Sequence, residues 1–129
     1  MTREDVLSAD LATLRLLVAE HVMGHATPFD QHPVPCPDGR PGCCVLHYDT
    51  FDAAGVRLPA YSTDVAAGMA VLEKVEAEYA QLCVEGGEWE CCITLNARGG
   101  PYVCTPVGHK TAAEAICRAS LLATLEAKK

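Results

Sequence analysis

At 129 residues the chain has the length of one domain; half its residues are apolar and about a fifth charged, a globular composition. Its net charge of −7 opposes nucleic-acid binding, which needs a concentrated positive face, and opposes docking on anionic lipid. No stretch reaches the roughly 18 apolar residues of a membrane helix, and MTREDVLSADLATLRLL mixes both charge signs where a signal peptide needs a basic start and an apolar run, so a cytoplasmic protein is expected.

Residues 3–23 place Leu7, Leu11, Leu14, Val18 and Val22 at steps of three and four, one face of a helix. Gly24 suits its exit, because glycine enters the left-handed conformation cheaply. The stretch 25–61 holds six of the eight prolines and little periodicity. It is expected to be a long loop with one short strand near Cys44 to Tyr48, and its central part, about 26–57, behaves as an insert in a single domain spanning 1–129.

A second helix is predicted from Thr63 to about Cys83, with Val65, Met69, Leu72, Val75, Tyr79 and Leu82 on its buried side. Pro59 stops what precedes it, Ser62 and Thr63 offer capping hydroxyls, and Asp64 puts a negative charge on the first turn. Glu85-Gly86-Gly87 is read as its end. From Trp89 onward the period changes to two: Trp89, Cys91, Ile93 and Leu95 alternate with Glu90, Cys92, Thr94 and Asn96, a strand with one buried face. Ala97-Arg98-Gly99-Gly100 is a hairpin turn, and Tyr102 to Thr105 the return strand.

The last helix opens on Thr111-Ala112-Ala113-Glu114, a capping box in which the hydroxyl accepts from the Glu114 N–H and the carboxylate reaches back. Ala115, Ile116, Ala119, Leu122 and Ala123 form its buried stripe. The expected fold is therefore α+β, a small antiparallel sheet packed with three helices, in the order α-(loop, β)-α-β-β-α. No helix can bury its stripe alone.

The blocks LVAEHVMGH, PAYSTDVAAGMAVLEKV, WECCITL and TAAEAICRASLLATLE, in this order, resemble the phage ABA sandwich domain family. The Tyr-Ser-Thr-Asp and Ala-Ile-Cys-Arg-Ala blocks are its most specific parts. The resemblance implies an α/β sandwich and a small accessory protein encoded by a phage, acting in the cytoplasm of the host cell, and it implies no reaction. Two features depart from the family pattern: His25 stands where an aromatic residue usually follows Met23-Gly24, and the 26–57 insert is extra. A hairpin followed by KTAAEA is also similar to the end of a double-stranded-RNA-binding domain, but Lys110 is the only lysine at that helix start, so nucleic acid is not the expected partner.

Of the eight cysteines, Cys83, Cys91, Cys92, Cys104 and Cys117 are expected to be plain core or near-core thiols. The insert sequence CPDGRPGCCVLH gathers Cys36, Cys43, Cys44 and His47, a set that could hold zinc, although its six-residue spacer exceeds the usual two to four. A disulfide from Cys36 to Cys43 or Cys44, or free loop thiols, are the alternatives. A ligand site is expected at Tyr61, Ser62, Thr63 and Asp64, where a helix start presents backbone N–H groups, with Trp89 as a stacking surface and His25 nearby in the pattern. A well-capped helix needs the same residues without any ligand. No catalytic residue is assigned, because the chain lacks a G-x-S-x-G, a Gly-rich phosphate loop and an H-E-x-x-H.

Binding is thus the expected mode of action, with a host protein or a nucleotide-like small molecule as partner and a homodimer as the expected assembly. A zinc-stapled module is the second reading and a thiol-dependent enzyme the third.

Overall fold

Thr2 and Asp5 form a complete capping box: the Asp5 N–H donates to the Thr2 hydroxyl at 3.1 Å and the Thr2 N–H to the Asp5 carboxylate at 2.8 Å. They open α1 (Arg3–Ser8), the first element of a computed structural model that describes residues 1–36, 46–75, 79–94, 102–105 and 109–127. The chain then turns extended at Ala9, and Asp10 caps α2 (Leu11–His21) by accepting from the Thr13 N–H at 2.7 Å. The single helix expected over 3–23 is therefore two. A carboxylate at position 10 satisfies an orphan N–H of a new helix better than it serves the middle of an old one.

The described residues form two compact units, Met1–Gly24 with Ala60–Lys129, and His25–Pro59. In the first, α2 leads out through Val22 to Gly24, whose φ of 76° is the left-handed exit expected of it. Then come α3 (Val65–Lys74), three strands and a final helix. The three strands form one antiparallel sheet in sequence order, which fixes the register Cys83↔Glu90, Cys92↔Cys104 and Ile93↔Val103.

The first of these strands corrects the predicted second helix. That helix stops at Lys74, and Tyr79–Glu85 is a strand paired along its whole length with Glu88–Thr94. Gly86 and Gly87, at φ 60° and 82°, are the two-residue turn between them, a conformation that needs positive φ twice. The spacing of Val75, Tyr79 and Leu82 fits a helix, yet pairing with a neighbouring strand outweighs it. Tyr102–Cys104 is the return strand, as expected. In the chain's own order these strands are β3, β4 and β5, because the insert contributes β1 and β2.

The closing helix α4 (Ala112–Ala127) is the centre of this unit. It packs against β4 and β5 on one side and against α1, α2 and α3 elsewhere, and Ala113 and Ala115 to Ala123 are all buried. Such all-round burial marks a core helix, with Ile116, Leu121 and Leu122 each worth about 1.5–3 kcal/mol of transfer free energy. Its start keeps half of the predicted capping box: the Glu114 N–H donates to the Thr111 hydroxyl at 3.2 Å. The Glu114 carboxylate turns instead to Arg118, 2.9 Å away.

Arg118 explains the Ala-Ile-Cys-Arg-Ala block. Arg118 is only 7% exposed, and its guanidinium donates to the carbonyls of Val6 and Ala9 at 2.8 and 2.9 Å, with a longer contact to Leu7. Those are the orphan acceptors at the end of α1, so one buried cation both closes that helix and ties it to the core.

The second unit is a hairpin rather than a loop with one strand. In it β1 (Asp30–Val34) pairs antiparallel with β2 (His47–Phe51). Asp52 ends the hairpin by accepting from the Ala54 and Val56 N–H groups at 2.9 Å each, a turn completed by Gly55 at φ 84°. Leu58 is buried and its N–H donates to the Thr50 carbonyl. No helix among the described residues is long and apolar enough to cross a membrane.

Candidate functional site

The start of α3 does more for the fold than a cap requires. Tyr61 is 2% exposed, and its carbonyl accepts from the buried Cys117 thiol at 3.1 Å. The Ser62 hydroxyl, also buried, donates to the Leu11 carbonyl at 2.7 Å and so fixes the start of α2 to the start of α3. The cap itself is Asp64, which accepts from the Ala66 N–H at 3.0 Å. Only Thr63 and Asp64 of the four predicted ligand residues face solvent.

The side of α3 that the sequence assigns to the core is partly outside. The buried residues are Gly68, Val71 and Leu72, and a Cβ added at Gly68 would stand 3.5 Å from the Ala113 Cα and 3.6 Å from the Tyr61 carbonyl oxygen. Gly68 therefore meets Ala113 of α4, while Val71 and Leu72 supply the larger buried side chains of α3. Val65 and Met69, one turn apart, are 53% and 46% exposed, and Leu11, on the helix start that Ser62 ties to this one, is 41% exposed. Three large apolar side chains thus stand at two joined helix starts, beside Thr63 and Asp64. Sequence spacing hides this surface, because a stripe of larger residues looks more like a core than Gly68 and Ala113 do.

Trp89 lies on β4, half-buried, with its backbone N–H donating to the His109 carbonyl at 2.6 Å. His25 belongs to the insert unit, where its Nδ1 lies 2.8 Å from the Asp52 carboxylate. That bond is the first cause, with the Val56 and Ala54 N–H groups, of an Asp52 carboxyl held below its ordinary value. Of the predicted zinc ligands, His47 is half-buried on β2 opposite Val34 and Cys36 follows β1 half-buried. Cys43 and Cys44 lie outside the described residues.

The other five cysteines are not uniform. Cys91 and Cys117 are fully buried, and desolvation pushes both thiols up to about 12, far from a nucleophilic thiolate at neutral pH. Cys83 is exposed on β3. Cys92 and Cys104, expected to be plain thiols, are a cross-strand disulfide. The signal for that pair was legible: both lie six residues from Arg98 in the predicted turn, hence opposite one another. On the sheet face turned away from α4, register groups Cys83, Glu85, Glu88, Glu90, Cys92 and Cys104, around an open depression of about 220 Å³ lined by Cys83 and the three glutamates.

A family model described as the phage ABA sandwich domain matches residues 16–121. The chain belongs to the phage ABA sandwich domain family. The match runs from α2 through the insert to the buried core of α4, and membership puts the chain among phage accessory proteins. Neither a curated protein nor a solved structure matches it.

Proposed function

We propose that this phage protein acts by binding a protein of the host, in the host cytoplasm, through the joined starts of α2 and α3. The observation that carries the reading is the exposure of Leu11, Val65 and Met69 beside Thr63 and Asp64. Large apolar side chains grouped in a polar rim favour a protein partner, whose own apolar surface they remove from water. A nucleotide finds less here. Tyr61 and Ser62 are inside the fold, the Asp64 carboxylate already occupies the Ala66 N–H, and its charge repels a phosphate. The burial that raises the Cys91 and Cys117 thiols supports binding over thiol catalysis.

The test is affinity capture from host cells with the tagged chain and with a Val65→Glu/Met69→Lys variant. A single host protein retained by the parent chain and lost by the variant, with an unchanged circular dichroism spectrum, supports the proposal. A variant that retains the same protein overturns it. So does a parent chain whose dimer dissolves on this substitution, which gives the surface to a second copy, or whose melting temperature rises with a nucleotide.

A further inference from the structure

The sheet face away from α4 carries a donor set separate from the binding surface just described. One ligand atom each from Glu90, Cys92 and Cys104 lies within 4.8 Å of the other two, and the Cys92 sulfur is 3.8 Å from Glu90 Oε1. Register holds them there: Glu90 and Cys92 are alternate residues on one face of β4, and Cys104 stands directly opposite Cys92 with 4.1 Å between Cα atoms. Cys92 is nearly buried and the other two are half-buried, while among the described residues Glu90 has no ion pair. A half-buried carboxylate beside two sulfurs is an electron-rich corner that no cation among the described residues balances.

We infer that, with the Cys92–Cys104 bond reduced, Glu90, Cys92 and Cys104 bind one thiophilic divalent cation, zinc. Reduction opens the S–S bond by exchange with a cellular dithiol, which closes to its own disulfide as two electrons and two protons pass to the pair. Zinc then displaces both thiol protons to water and is held by two thiolates and one carboxylate. A tetrahedral centre with bonds of about 2.0–2.3 Å sets its ligand atoms roughly 3.5–3.8 Å apart, within reach of the observed cluster by side-chain rotation alone. Two thiolates select zinc over calcium or magnesium, which take oxygen donors. Of the three donors, Glu90 also lines the depression formed with Cys83, Glu85 and Glu88. The site excludes the disulfide, so the metal-bound and oxidised chains are alternative states.

The experiment uses the full chain, reduced with a phosphine and desalted without oxygen, and titrated with zinc alone and with cobalt alone. Three variants run beside it: Cys92→Ser/Cys104→Ser, Glu90→Gln and Cys43→Ser/Cys44→Ser. The expected result is one zinc per reduced chain, none in the oxidised chain, and a thiolate-to-cobalt charge-transfer band. Both should survive in the Cys43/Cys44 variant and vanish in the Cys92/Cys104 variant. Zinc affinity in Glu90→Gln should fall roughly tenfold or more, in a variant that keeps the shape and both thiols. A reduced chain that takes up no zinc overturns the site. So does a Cys92/Cys104 variant that retains the metal, or a loss confined to the Cys43/Cys44 variant, which moves the metal to the insert.

Discussion

Arg118 is the side chain on which the helical layer most depends. Its guanidinium reaches two buried backbone carbonyls at the end of α1 and the half-buried Glu114 carboxylate. Arg118→Ala leaves those acceptors and the carboxylate unpaired and should cost about 3 kcal/mol or more, read as a lower urea midpoint. Arg118→Lys should recover only part of this, because a point ammonium cannot span the same fork. His109 adds a pH dependence. Burial is the first cause of its lowered pKa, with Arg118 acting in the same direction and Glu114 against it. The unfolded chain therefore binds the proton more readily. Stability from this group is complete above the ordinary histidine value near 6.5 and is lost as pH falls through the lower folded value. The melting temperature should decline from pH 7 to 5, and His109→Phe should flatten that decline. The buried thiols have the opposite sign. Their folded values near 12 lie above the ordinary 9, so their contribution is complete below pH 9 and fades as pH rises toward 12. Under native conditions an alkylating reagent should label the exposed Cys83 well before Cys91 or Cys117, a ranking that peptide mass mapping reads directly.

At the scale of elements, Gly68 decides how closely α3 approaches α4. A methyl group there meets Ala113 and the Tyr61 carbonyl only at ordinary contact distance. Gly68→Ala should thus stabilise the protein by about 0.5–1 kcal/mol through helix propensity, whereas Gly68→Leu should force the helices apart and lower the melting temperature. The same contact shows what the sequence could and could not disclose. Strands β4 and β5 were readable because alternation reports burial where a strand packs on one face, while the turn predicted between them lies outside the described residues. Of α4 the spacing showed only one stripe of a helix that is buried all round. α3 packs with Gly68, Val71 and Leu72, and a glycine carries no hydrophobic signal. Spacing therefore assigns Val65 and Met69 to the core, although both are exposed. Strand β3 failed for another reason: its apolar spacing suits both periods, and only pairing with β4 settles the choice. The Tyr61–Asp64 block was located correctly as a helix start, but its division of labour, Ser62 tying α2 and Asp64 capping α3, depends on Leu11, fifty-one residues from Ser62.

At the scale of the whole chain, the two units differ in how much they bury. Val6, Leu14, Val18, Tyr61, Ile93 and most of α4 are interior to the first. Among the described residues of the second, Leu58 is the only large apolar side chain that is buried, while Tyr48 on β2 and Val56 in the turn after it are exposed. A two-stranded hairpin with so little apolar burial is marginal as a structure in its own right. Hydrogen exchange should therefore separate them: amides of Ile116 to Ala123 should exchange only through global unfolding, and those of β1 and β2 near the rate of an unfolded chain. Zinc makes the contrast diagnostic. A cation held by Glu90, Cys92 and Cys104 crosslinks β4 to β5, so adding it to the reduced chain should slow exchange in Glu88–Thr94 and Tyr102–Cys104 and leave β1 and β2 fast. Protection gained instead at Asp30–Val34 and His47–Phe51 would assign the metal to Cys36 and His47 with their neighbours in the insert, and the sheet face would lose its claim.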